Sequence, residues 1–192
     1  MRSTPIIALA CLTVAGAFAA CGNGVSSTED ARNAYLGLDP SVDKAIQLGF
    51  NGYNFDPNGA NIQPQTADGG MSGTMTVTGQ VDQGSSDNKG MRLSESLSGY
   101  SDDGHVMYGT DQAALPALTI NLKNIPSGTV DGSLNGSFLM SGSLSGQVSL
   151  ALTFAGQIEA GPGNTVVRKA GTMHITGTAT SPAGTYTVDV TR

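Results

Sequence analysis

The sequence predicts an all-β domain: an antiparallel meander of about eight strands forming a barrel or a sandwich, with a short helical N-terminal segment. Three observations carry this. The chain is rich in Gly, Ser, Thr and Val and has no Trp, a composition that favours strands and turns over helices. From Ser72 onward apolar and polar residues alternate, as they do on strands with one wet face. From Val130 to Ala160 every even position is apolar or Gly, while most odd ones are Ser, Asn, Asp, Gln or Thr.

The first element in chain order is a targeting segment. Residues 1–20 hold one charge, Arg2, and then the apolar run "IIALACLTVAGAFAA". At about 15 residues the run is short for a membrane span and suits the apolar region of a secretory signal. Phe18-Ala19-Ala20-Cys21 resembles the lipobox of bacterial lipoprotein precursors, with Phe18 where Leu is usual. The resemblance reaches no further than Cys21. It implies cleavage between Ala20 and Cys21, diacylation of the Cys21 thiol, and attachment to a membrane through that lipid. Gly22, standing where Asp retains some lipoproteins in the inner membrane, implies the outer membrane in a Gram-negative host. Ala17-Phe18-Ala19 also fits ordinary small-x-small cleavage, which would give a soluble secreted or periplasmic protein. Cys11 leaves with the signal, so the mature chain holds one cysteine. An internal disulfide and a cysteine-built metal site are excluded by that count.

Residues 21–34 are polar and Gly/Ser-rich, and read as a flexible tether. Within them Ser26 and Glu29 have the spacing of a capping box. Residues 35–70 read as a helix and an Asn/Gly-rich loop. Asp39 is placed to cap the helix, Pro40 to open it and Gly49 to end it. Val42, Ala45, Ile46 and Phe50 fall roughly on one face. The loop after it, "NGYNFDPNGANIQPQTADGG", is about 20 residues long, a length found mostly in functional or flexible loops.

Residues 71–192 are read as the β domain. "SGTMTVTGQV" faces Met75, Val77 and Val81 one way and its threonines the other. "MRLSESLSG" does the same with Met91, Leu93 and Leu97, and Glu95 interrupts that apolar face. "LTINL" follows. As one strand, the segment from Val130 to Ala160 would span roughly 100 Å, so it must reverse. Parity survives the reversal, so the loop is odd, and Met140–Ser143 is the expected place. Across "SPAG", Ser181 to Gly184, parity flips. Thr180 should therefore pair with Thr185, Gly177 with Val188 and Ile175 with Val190. "EAGPGN", Glu159 to Asn164, reads as a similar even reversal. Ser72–Gly79 and Ala170–Gly177 share Gly, Thr, Met, Thr and Gly at matching places, either an old duplication or common strand composition.

Cleavage leaves 172 of 192 residues, enough for one domain with a core. Without Arg2 the nine Lys and Arg fall to eight, against fifteen Asp and Glu, a net charge of about −7. Such a surface repels phosphate backbones, so nucleic acid is excluded as a partner. Asn54-x-Asp56-x-Asn58-Gly59 resembles the start of an EF-hand calcium loop. It departs at the first position, where Asn replaces Asp, and at the twelfth, where Gln65 replaces Glu; the other reading is an Asx-rich turn. His174 lies on a Thr-rich strand face, and His105 follows a turn, Asp102-Asp103-Gly104, where an Asp–His pair is conceivable. There is no nucleophile elbow, no His-carboxylate metal spacing and no phosphate-cradling Gly loop, so no cofactor is expected. An inward Glu95 needs a partner, a bound ligand or a raised pKa, unless a bulge or a rim position lets it escape.

The reading is a membrane-anchored bacterial envelope lipoprotein with a structural or protein-interaction role. The alternative is a β-barrel holding a small apolar ligand such as a lipid, and an enzyme is not expected. Envelope proteins and the membrane are the expected partners.

Overall fold

The computed structural model describes residues 24–56, 59, 61–161 and 165–192. Ala20 and Cys21, with the rest of the lipobox, and Asn58 lie outside the described residues. Helix α1 (Thr28–Phe55) comes first. Ten strands follow: β1 (Asn61–Asp68), β2 (Ser72–Val81), β3 (Lys89–Ser101), β4 (Val106–Gly109), β5 (Ala117–Lys123), β6 (Thr129–Gly142), β7 (Gly146–Ala160), β8 (Val166–Arg168), β9 (His174–Ser181) and β10 (Gly184–Thr191). The predicted all-β, antiparallel class holds.

The strands pair in the order β1-β2-β3-β4-β6-β7-β9-β10. β5 shares the slot of β4 between β3 and β6, and β8 attaches to the end of β7. Laid flat, eight strands at 4.8 Å spacing would hold β1 and β10 roughly 34 Å apart. Yet α1 packs against both β1 and β10, and against β2, β3, β4 and β8. The 28-residue helix, about 42 Å long, therefore spans the sheet from one edge to the other. The core is the space between them: Ala34, Tyr35, Leu38, Val42, Ala45 and Ile46 of α1 against the inward faces of the strands.

The long alternating segment is the hairpin β6–β7. Val130 pairs with Gly156, Leu134 with Leu152 and Met140 with Gly146, so even positions meet even positions. The odd reversal falls between Met140 and Gly146, as parity requires. Leu152 is 1% exposed, and its neighbour Thr153 faces solvent. The β9–β10 register is also the expected one: Thr180 with Thr185, Gly177 with Val188, Ile175 with Val190.

Three expectations are corrected. The helix is single and longer than the sequence suggested. Ser27, not Ser26, caps it by accepting the Asp30 N–H at 3.0 Å, while the Ser26 N–H and hydroxyl bond back to the Asp30 carboxylate. Chain read as tether is therefore helical from Thr28. The helix also runs through Asp39, Pro40 and Gly49, which were read as its cap, its first position and its end. Pro40 removes one hydrogen bond, at a cost of about 3 kcal/mol in an isolated helix. Burial of more than two turns on either side offsets that loss. Gly49 and Gly52 serve close approach rather than termination: a Cβ on Gly52 would lie 2.7 Å from Ile62 Cβ, and one on Gly49 would lie 2.9 Å from Met91 Sδ. Secondly, the expected loop from Asn51 to Gly70 contains the last helical turn and strand β1. Thirdly, the β7–β8 reversal is odd, since Ala160 pairs with Val166 and Ile158 with Arg168.

Candidate functional site

Glu95 lies in the middle of β3, opposite Val77 of β2, in unbroken register with it. There is no bulge here and no rim. The side chain is 0% exposed, between Leu93 and Leu97 on its own strand, and neither carboxyl oxygen has a hydrogen-bond partner among the described residues. Burial pushes its pKa up to about 8, because the charged form cannot be solvated there. At neutral pH Glu95 is thus an uncharged acid in an apolar interior. The other buried side-chain oxygen without a partner is Ser41 Oγ. Ser41 stands one turn after Gly37, which abuts Tyr108, and two turns before Gly49, which abuts Met91 and Leu93. Ser41 therefore lies on the part of α1 that packs against β3 and β4, and Glu95 on the inner face of β3.

A second buried acid has the opposite surroundings. Asp39 of α1 accepts from Arg168 Nη1 of β8 at 2.8 Å, from the Tyr35 hydroxyl at 2.5 Å and from Arg192 Nε at 3.2 Å. Arg168 also grips Asp43, one turn along, through Nε at 2.7 Å and Nη2 at 2.9 Å. Burial alone would raise the Asp39 pKa; the Arg168 charge and its hydrogen bond overcome this and hold it below the usual range. The cluster ties the middle of the helix to β8 and to the C-terminus. Sequence reasoning missed it. Asp39 and Asp43 are spaced i,i+4, but nothing in the string says which acids are inside.

A third cluster joins α1 to the β3–β4 turn. Lys44 Nζ donates to Asp102 Oδ1 at 3.0 Å and to the Asp68 carbonyl at 2.8 Å, and lies 4.9 Å from the centre of the Tyr100 ring. Asp102 also accepts the Gly70 N–H at 2.7 Å and the Tyr100 hydroxyl.

An open cavity of about 380 Å³ flanks the last turns of α1, lined by Gln47, Phe50, Asn51, Tyr53, Asn54 and Lys89 among others. Lys89 is buried, with its ammonium 4.6 Å from the centre of the Tyr53 ring and bonded to the Gly84 and Asp82 carbonyls. The two carbonyl bonds tie Lys89 to the β2–β3 loop.

The residues singled out in sequence scatter rather than converge. Asn54 is helical and Asp56 caps the helix C-terminus. The Asp56 carboxylate accepts the Gly59 N–H at 3.1 Å, which is the Asx-turn reading of the EF-hand resemblance. The end of that twelve-residue span, through Gln65, is strand. His174 is exposed beside Asp189, at 2.9 Å, on the outer face of the sheet. Asp103 accepts the backbone N–H of His105, not its ring. Among the described residues no three His, Cys, Asp or Glu side chains group as metal ligands, and no helix is long and apolar enough to cross a membrane. Comparison with protein-family models, curated proteins and solved structures finds no match.

Proposed function

We propose that the chain is an exported, lipid-anchored envelope protein that acts through its outer surface on protein partners, and is neither a carrier of an apolar ligand nor an enzyme. One observation carries the choice between carrier and surface. The apolar face of the sheet, where a carrier would hold a ligand, is covered by the protein's own helix, with Tyr35, Leu38, Val42 and Ile46 in the core. The lipobox resemblance supports the anchor.

Cys21→Ser tests the anchor: it should abolish lipid labelling and release the protein from the membrane fraction. Unchanged fractionation would overturn that half. Native mass spectrometry of the envelope-extracted protein tests the other half. The expected mass is that of the acylated chain, alone or with a protein partner; a retained small apolar molecule would favour the carrier reading.

A further inference from the structure

We propose that one end of the domain, formed by the β6–β7 and β9–β10 turns, is seated on the bilayer surface, so that α1 points away from the membrane and its C-terminal end is displayed outward. The proposal rests on acylation at Cys21 and adds an orientation to it.

The first argument is reach. The chain is already fixed to the body at Val25, which is buried and whose carbonyl accepts the Ser181 hydroxyl at 2.6 Å. Gly24 sits beside the β6–β7 turn, where a Cβ on it would lie 3.5 Å from the Ser145 carbonyl oxygen. Only three Cα steps separate Gly24 from Cys21, at most about 11 Å whatever their conformation. The helix that starts here is 28 residues long, or about 42 Å. So short a leash holds the turns at the anchored end against the surface. The far end can touch the bilayer only if the domain falls on its side, and a body with a net charge near −7 is repelled from an anionic membrane.

The second argument is independent of the leash. Four large apolar side chains are exposed in the described residues: Met71 at 67%, Leu139 at 56%, Met107 at 38% and Phe55 at 77%. Two of them, Met107 and Leu139, lie toward the anchored end, whereas Met71 is in the β1–β2 turn, level with Lys44 in the second half of the helix. Met107 lies opposite Ser141 and Leu139 opposite Gly109 on the paired strands β4 and β6, so they are diagonal neighbours on the outer face. Phe55 is at the other end.

The turns around the exit point suit the same surface. Ser141–Gly146 and Ser181–Gly184 contain no charged residue. The far β2–β3 and β5–β6 connections carry Asp82, Asp87, Lys89 and Lys123 at or near their ends. Of the acids near that end, Glu29 is paired with Arg32, Asp30 with the helix N-terminus, and Asp103 accepts from the Ser101 hydroxyl and the His105 N–H. Met107 and Leu139, beside the uncharged β6–β7 turn, can enter the headgroup layer.

Because Cys21 is acylated and Cys11 is removed, an introduced cysteine is the only free thiol. Ala183→Cys marks the anchored end and Ser85→Cys, in the β2–β3 loop, the far end; both sites are exposed. The full acylated chain is labelled at each site with a fluorophore and placed in vesicles of phosphatidylethanolamine and phosphatidylglycerol that carry a headgroup quencher. The Ala183 label should be quenched several-fold more than the Ser85 label. Flotation separates the two ideas under test. A chain that does not float with vesicles, or floats equally well as Cys21→Ser, overturns the acyl anchor and the orientation with it. A chain whose flotation needs Cys21, but whose two labels are quenched alike or in reverse order, overturns the orientation alone.

Discussion

Asp39 and Glu95 are two acids in one core, one on the helix and one on the sheet it packs against. Both are buried, and burial pushes both toward the neutral form. Asp39 nonetheless ionises more readily than a free carboxyl, while Glu95 holds its proton up to about 8. The difference lies in the partners. Asp39 has two guanidinium groups and a phenol; Glu95 has leucine and valine. Depth sets the penalty for a charge, and the hydrogen-bonded neighbours decide whether the charge survives it.

The sharpest way to break the contrast is to strip Asp39 of its main partner. Arg168→Met keeps much of the apolar stem and removes the charge, leaving Asp39 and Asp43 facing each other across one helical turn. Loss of one member of a buried pair typically costs about 3–5 kcal/mol. We expect a loss of that size in urea unfolding at pH 7. The acid limb should change as well. A lowered native pKa gives stability that is present above the ordinary value of 3.8 and lost as pH falls through the native value. In Arg168→Met that term shrinks to what Arg192 and Tyr35 supply, so the two proteins should converge in stability on acidification. A constant gap down to low pH would mean that Arg168 acts by packing alone.

The second test works on Glu95 and has the opposite sign. Its native pKa of about 8 lies above the ordinary value of 4.5. The unfolded chain therefore releases this proton first, and stability falls as pH rises from about 4.5 to about 8. Glu95→Gln keeps the shape and cannot ionise. It should flatten that slope and be more stable than the parent at pH 8 by on the order of a few kcal/mol, with little difference at pH 4.5. The urea midpoint at several pH values reads this directly. A slope unchanged in Glu95→Gln would place the titration elsewhere.

How far the sequence shows this contrast depends on what kind of information it is. Strand parity is local, so the inward face of β3 was readable, Glu95 included, as were the β6–β7 reversal and the whole β9–β10 register. Expecting a bulge to rescue Glu95 failed because ladder register is a property of two strands, and one strand does not reveal it. The helix was cut short because Asp39 and Pro40 read as its start and Gly49 as its end. Contacts to Tyr108, Met91 and Ile62, distant in the chain, overrule them. β1 was read as loop because Asn, Gln and Pro64 carry no alternation, and its place comes from pairing with β2. The Asp39 cluster was invisible for a similar reason: Arg168 is 129 residues away. Most of what distinguishes the two acids is therefore long-range.

Asp102 sharpens the comparison, because it lies between the two extremes. It is partly exposed, and it has three kinds of donor: the Tyr100 hydroxyl, the Gly70 N–H and the Lys44 ammonium. Burial works to raise its pKa, and these bonds, Tyr100 first, bring it below the ordinary value. If partners rather than one ion pair decide the outcome, losing Lys44 should leave Asp102 ionised, because two donors remain. Lys44→Met also forfeits the contact with the Tyr100 ring and the bond to the Asp68 carbonyl. Each of these is modest where water can compete, so the expected cost is only about 1–2 kcal/mol. Urea unfolding at pH 7 should therefore rank Lys44→Met well below Arg168→Met. The carboxyl resonance of Asp102, followed by NMR, should still titrate below 3.8 in the variant. A cost equal to that of Arg168→Met, with Asp102 protonated at neutral pH, would mean that the cation alone holds each acid ionised and that the count of donors is irrelevant.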